Sequence, residues 1–208
     1  MQALPLWPTL FYTFQWAQHN DSKNELKELC QQLEQQQHVS NVSNDVKHGL
    51  YESGFDFVEQ PSEAVRAWSD WAKQCMFQAS AKANQRYWPA GLNVDVELHE
   101  SWCHITRDGG YHDVHIHANS AWSCIYYLDV GDMDINTKNG VNRFYNPTAT
   151  MYSDAGTLYA TEDSSIDISP REGMMVVFPS WIQHSALVYR GQQDRYILSA
   201  NCRVRVSA

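Results

Sequence analysis

An α+β architecture, with helices first and an antiparallel β half after them, is what this sequence predicts. Residues 21–37 and 62–86 set apolar side chains at helical spacing. After Pro89 the texture changes to short alternating runs punctuated by Gly, Pro, Asn and Asp. No internal repeat of solenoid length is visible in the chain. Helices followed by many short strands fit two packed sheets closing into a jelly roll, a double-stranded β-helix, with the N-terminal helices packed on one sheet.

Taken in order, residues 1–16 alternate apolar and aromatic positions around Pro5 and Pro8, and predict an edge strand or extended arm. In 21–37, Ser22 and Glu25 form a capping box ahead of the stripe Leu26, Leu29, Cys30 and Leu33. Residues 39–60 read as loop, with short strands near Gly49–Val58. The second helix, 62–86, carries Val65, Trp68, Trp71, Ala72 and Cys75 on its core side. Strands are expected at Val94–Ile105, Val114–His117, Trp122–Leu128, Thr157–Thr161, Met174–Phe178, His184–Val188 and Arg195–Val206. The expected organisation is one domain over 1–208, with arm and helices in 1–90 and the jelly-roll core in 91–208.

Composition narrows the function. With 15 basic against 24 acidic residues and a formal net charge of −9, the chain is poorly placed to neutralise phosphates, which argues against nucleic acid as a partner. No apolar run approaches the roughly 20 residues of a membrane span, so no membrane partner is expected. The opening MQALPLWPTLFY lacks the basic region and cleavage site of a signal peptide, and a cytoplasmic location is expected. Five cysteines, at 30, 75, 103, 124 and 202, form no CxxC pair and read as buried, reduced thiols.

The chemistry is concentrated in histidine. Of nine His in the chain, four fall within 104–117: His104, His112, His115 and His117. On a regular strand Tyr111, Asp113, His115 and His117 share one face, with His112 pointing away towards solvent. Imidazoles two apart can both reach one ion at distances of about 2.0–2.2 Å. A third ligand, His184, follows the strand Met174–Phe178 and the segment Pro179–Ser180–Trp181, and a later strand would deliver it to the same site. Imidazole suits iron, zinc, copper and nickel, so ligand type alone does not choose the metal. His104 reads as a wall histidine, and Asn119–Ser120 as the turn after the metal strand.

Arg195 lies eleven residues beyond His184, past the turn Arg190–Gly191–Gln192. A hairpin there would bring its guanidinium back beside His184, suited to bidentate capture of a carboxylate. Metal plus adjacent Arg fits a 2-oxo acid that chelates the metal at one end and pairs with Arg at the other.

These residues resemble the iron(II)/2-oxoglutarate-dependent dioxygenase superfamily, and most closely its bacterial and phage group of 2-oxoglutarate/Fe(II) oxygenases. The likeness lies in LWPTLFY, SWCHITRDGGYHDVHIHANSAWSCIYYLD (101–129), GTLYATED (156–163) and GMMVVFPSWIQHSALVYRGQQDRYILSANC (173–202). It is dense over 94–206 and thin over the helices. Its most specific element is FPSWIQH followed by G-x-x-x-R. The run after HxH is also similar to the prolyl-hydroxylase branch. The resemblance implies Fe(II) held by His115, His117 and His184, which are also the catalytic set. It further implies 2-oxoglutarate as cosubstrate, molecular oxygen as co-reactant, and Arg195 and Tyr127 on the distal carboxylate of 2-oxoglutarate.

The sequence departs from the usual pattern at His117, where many superfamily members carry Asp or Glu; Asp113 is the alternative carboxylate ligand. Arg195–Tyr196–Ile197 also lacks the common Arg-x-Ser, with Ser199 one step too far. Two other readings keep the metal. One is a cupin-like three-His dioxygenase or isomerase without 2-oxoglutarate, with Arg195 as substrate clamp. The other is a non-catalytic metal-binding jelly-roll module. Residues 130–155 read as a loop over the pocket without a specificity signal, so small-molecule and peptide substrates are both compatible.

Overall fold

Alternate residues of the central strands face two different cores, and that alternation explains the architecture. The computed structural model describes residues 8–39, 49–148, 154–156, 158 and 164–207. In chain order the elements are β1 (Tyr12–Gln15), α1 (His19–Val39), β2 (Leu50–Glu52), a 3₁₀ turn (Phe57–Glu59), α2 (Glu63–Ala83) and β3 (Val94–Thr106). There follow β4 (His112–His115), β5 (Trp122–Asp129), β6 (Asn142–Tyr145), β7 (Ser165–Asp167), β8 (Met174–Pro179), β9 (His184–Ala186) and β10 (Arg195–Val206). A six-stranded sheet runs β1-β8-β5-β10-β3-β2 and a four-stranded sheet β4-β9-β6-β7. Their paired strands are antiparallel, as the predicted jelly roll requires.

The larger sheet is covered on both faces. Tyr126, Leu128, Val177, Leu198 and Cys202 pack outward against Leu26, Cys30, Val65, Trp68 and Met76 of the helices. Their neighbours Ile125, Tyr127, Val176, Phe178 and Ile197 pack inward, toward Phe144 of the smaller sheet. A strand buried on both sides loses its polar alternation, which is why β5 (WSCIYYLD) is nearly all apolar. All five cysteines are free and buried, as expected.

Helix α1 begins at His19, ahead of the expected capping box. Glu25 serves the other helix instead: its Oε1 accepts from Ser62 Oγ at 2.6 Å, while Ser62 Oγ accepts from Val65 N at 3.1 Å. Ser62 is thus the N-cap of α2, and Glu25 holds the two helices in register through it. The strand expected at Thr157–Thr161 falls largely outside the described residues. β6 arises where loop was expected, because Asn142 and Phe144 point inward with too short a run to show periodicity, and the three-residue β7 was not among the expected strands.

Trp68 is fully buried, and its Nε1–H has no hydrogen-bond partner among the described residues. Trp68→Ala should cost about 3–5 kcal/mol in chemical denaturation, as large core truncations do. Trp68→Phe should cost roughly 1–2 kcal/mol, because it also removes an unsatisfied donor. Equal losses in the two variants would show that the indole N–H is satisfied after all.

Candidate metal and anion site

A cavity of about 230 Å³ opens between the sheets, and His115, His117, His184 and Arg195 all line it. His115 ends β4 and stands opposite His184, the first residue of β9, in the antiparallel ladder. His117 does not reach the site by strand alternation. β4 stops at His115, its pairing is irregular between His112 and His115, and His117 follows outside the ladder. Its backbone N–H donates to Ser180 O at 2.9 Å, which ties the segment to the end of β8. One ligand atom from each of the three histidines lies within 4.8 Å of the other two.

The ring orientations suit a cation. His184 Nδ1 lies 3.0 Å from Ile182 O, and His115 Nδ1 lies 2.7 Å from Asp113 O. A carbonyl only accepts, so both rings carry their proton on Nδ1 and keep the Nε2 lone pair for a ligand. His117 Nε2 and His184 Nε2 are 3.3 Å apart, so in the metal-free protein a proton on His117 bridges them. A bound cation would take that proton's place. Phe144 stacks on His184 and Phe178 meets it edge-on, while Trp102 packs against His117. Burial, then the charge of His115, lowers the pKa of His184 to about 3 and of His117 to about 4. Both are therefore neutral at pH 7, the form that binds metal.

Asp113 is exposed and outside this group, so its carboxylate is not the alternative ligand; only its carbonyl serves the site, through His115. His112 also departs from expectation. It lines the cavity with its side chain 19% exposed, because the irregularity in β4 turns it inward to within 3.5 Å of Glu52 Oε2.

Arg195 does not return beside His184 in a hairpin. β9 and β10 belong to different sheets, and the two residues line the cavity from opposite layers. Arg195 is 2% exposed. Its Nη2 donates to Asn142 Oδ1 at 2.8 Å, its Nη1 to Thr106 Oγ1 at 3.4 Å, and its Nε to Met133 Sδ at 2.8 Å. Every one of these partners is neutral. Among the described residues, no carboxylate lies within ion-pair distance. Burial lowers its pKa to about 10, so it stays charged at neutral pH. Tyr127 is fully buried, and its hydroxyl donates to the same Asn142 Oδ1 at 3.1 Å. Arg195 and Tyr127 thus converge on one amide oxygen.

Sequence reasoning missed Asn142, Glu52 and Trp102, all of which line the cavity. Asn142 lay in the stretch read as loop. For Trp102 the available signal was polar or aromatic residues recurring every second position, as in Glu100, Trp102, His104 and Thr106, all of which face the cavity; Glu52, on a strand of three residues, carried no such signal.

Residues 100–201 match the family described as "Putative 2OG-Fe(II) oxygenase". No curated protein matches the chain. Among solved structures, a prolyl-4-hydroxylase from Pseudomonas putida aligns with TM-score 0.58 and 19% identity, over 94% of this chain and 93% of its own. A Trichoplax adhaerens prolyl hydroxylase in complex with a hypoxia inducible factor peptide fragment aligns with TM-score 0.58 and 16% identity, over 92% and 82% of the chains. HygX from Streptomyces hygroscopicus, with nickel and 2-oxoglutarate bound, aligns with TM-score 0.60 and 9% identity, over 93% and 82%. At these identities the structural likeness establishes the shared jelly roll.

A pH dependence follows from the buried imidazoles. His117 and His184 bind protons less readily folded than unfolded, and burial acts in the same direction on His19, His99 and His104. Below the unfolded value of about 6.5, the unfolded state therefore holds more protons. The metal-free protein should lose stability as pH falls from about 6.5 towards 4, and change little on this account above 6.5. Thermal midpoints across that range should show a shallower fall in His117→Gln. An identical slope in that variant would count against a neutral, buried His117.

Proposed function

Through residues 100–201 the chain belongs to the 2OG-Fe(II) oxygenase family, and on that premise we propose that it is an Fe(II)- and 2-oxoglutarate-dependent oxygenase that hydroxylates a small molecule or peptide. His115, His117 and His184 would hold the iron. Arg195, with Tyr127 behind it, would hold the far carboxylate of 2-oxoglutarate. Iron with 2-oxoglutarate and molecular oxygen supplies the oxidising power, with succinate and carbon dioxide as coproducts.

The observation that carries this reading is the uncompensated guanidinium. A buried charge without a counter-ion costs several kcal/mol, and proteins ordinarily pair it. Here its neighbours are an amide oxygen, a hydroxyl and a thioether, in the cavity that also holds three neutral imidazoles. An anion with a carboxylate at one end and metal-chelating oxygens at the other suits both ends. Asn142 Oδ1 accepts from Nη2 and, behind it, from the Tyr127 hydroxyl, so the guanidinium is held in place before the anion arrives. Ile125 and Ile197 put apolar surface into the same cavity, which disfavours water there.

The carboxylate-free ligand set keeps the cupin-like reading as the rival, with Arg195 as a clamp on a substrate anion. The two separate on 2-oxoglutarate. Anaerobic addition of 2-oxoglutarate to the Fe(II)-loaded protein should give a weak visible charge-transfer band, and aerobic turnover should release succinate. In Arg195→Ala the band should need about 30-fold or more 2-oxoglutarate, since a buried charge-assisted contact is worth about 2–5 kcal/mol. Arg195→Lys should recover only part, because an ammonium lacks the planar fork. Absence of both band and succinate with wild type at millimolar 2-oxoglutarate would favour the rival.

A further inference from the structure

A second set of ligand-type side chains shares this cavity. Glu52, His104 and His112 come from three strands, β2, β3 and β4, and one ligand atom from each lies within 4.8 Å of the other two. Glu52 and His104 are direct cross-strand partners, with Glu52 Oε2 2.6 Å from His104 Nε2. His112 Nε2 lies 3.5 Å from the same carboxylate oxygen. The side chains of Glu52, His104 and His112 are 39%, 13% and 19% exposed, so the group sits at the inner mouth of the cavity rather than on the open surface.

The backbone holds the three in place. Arg107 N donates to Gly49 O at 2.7 Å, and Gly110 N donates to Arg107 O at 2.8 Å. The start of β2 and the turn between β3 and β4 touch so closely that a Cβ on Gly49, whose φ is +74°, would meet Gly110 N at 2.6 Å. A side chain on Gly110 would collide with Gly49 O in turn. The strands that carry Glu52, His104 and His112 are therefore locked to one another just below the cluster.

The hydrogen bonding inside the cluster is over-subscribed at one nitrogen. Trp102 Nε1 is 3.1 Å from His104 Nε2, and an indole N–H only donates, so it needs a lone pair on that nitrogen. The Glu52 carboxylate only accepts, so it needs a proton on the same nitrogen. One ring nitrogen cannot offer both. Protonating Glu52 does not help, for two donors would then compete for one lone pair. A cation bound by the His104 lone pair and a Glu52 oxygen removes the need for a proton between them; because it takes that lone pair from Trp102 as well, the indole N–H then turns to water in the cavity.

We propose that Glu52, His104 and His112 form a second metal site, specific for a first-row divalent cation, in the cavity that holds the three-histidine site. Two imidazoles and one carboxylate are an established ligand set for such ions and leave coordination positions open. The His112 and His115 rings stand 4.2 Å apart, so the two sets are neighbours along one wall. An ion held at Glu52 would offer its open positions to an oxygen or nitrogen of a substrate entering past Phe55 and Tyr111. This goes beyond the proposed oxygenase reading and does not depend on it.

The test is metal stoichiometry on the full chain. Metal-free protein is titrated with Co(II) alone, followed by calorimetry and by metal analysis after gel filtration. Wild type should take two ions per chain. Glu52→Gln and His112→Gln should each retain one, with the second weakened at least tenfold, and His117→Ala should also retain one. The double variant of Glu52→Gln with His117→Ala should retain none. Far-ultraviolet circular dichroism confirms that each variant is folded, and His112→Gln, the milder change, decides the matter if Glu52→Gln is not. One ion in wild type, lost in His117→Ala and kept in both Glu52→Gln and His112→Gln, would overturn the second site and leave the first intact. One ion lost in Glu52→Gln but kept in His117→Ala would support this site and count against the three-histidine ligand set.

Discussion

Arg195, Ile197, Ser199 and Asn201 on β10 face the cavity, while Tyr196, Leu198, Ala200 and Cys202 between them face the helices. Both sets are almost fully buried. This two-sided burial is the constraint on which the rest of the structure depends. Slipping β10 by one residue would drive a guanidinium, a hydroxyl and an amide into the helix-packed core and turn aromatic and aliphatic groups into the cavity. The register is therefore strongly specified, by β3 on one side and β5 on the other. The helices matter to the site for the same reason. Without α1 and α2 the outer face of the sheet would be wet, and the parity that orients Arg195 would lose its driving force.

The cavity wall distributes charge unevenly. Arg195 supplies one permanent cation at the inner end, held by neutral oxygens and a thioether. The histidines near it are kept neutral mainly by burial. Carboxylates appear only toward the mouth, in Glu52 and Glu100, with exposures near two-fifths of the side chain. Anions are thus favoured deep inside and cations nearer the mouth. A ligand that is anionic at its buried end matches this gradient, and so does a metal ion held further out.

Much of this was legible in the sequence because it depends on residue type and two simple periods. The long strands β3, β5, β8 and β10 appear within a residue or so of expectation, and α2 begins one residue into its expected span of 62–86. His115, His117, His184 and Arg195 were recognisable from ligand chemistry and spacing, and the fold brings them to one cavity. The failures have physical causes. Strand alternation assigned His112 to the wrong face, because β4 is short and irregular. Glu25 looked like a local cap, yet it satisfies Ser62 from 37 residues away, a partnership no local pattern encodes. Glu52 and Asn142 sit on strands of three and four residues, where a period of two has almost nothing to repeat over.

The absence of a carboxylate from the three-histidine set changes the electrostatics of the site in a specific way. Three neutral imidazoles leave a divalent cation with its full charge, where two imidazoles and an aspartate would cancel one unit. The compensating negative charge stands one residue further out. Glu100 Oε2 accepts from Asn201 Nδ2 at 2.8 Å, and the same amide nitrogen lies 3.4 Å from His117 Nδ1. Charge held at this remove attracts a cation without occupying a coordination position or fixing its geometry. A divalent cation held by the three histidines, together with the buried guanidinium, would make the inner cavity strongly favour an anion. The anionic ligand would then complete the charge balance that the protein side chains leave open. Binding of metal and of anion would be coupled, each raising the affinity for the other through the same low-dielectric space.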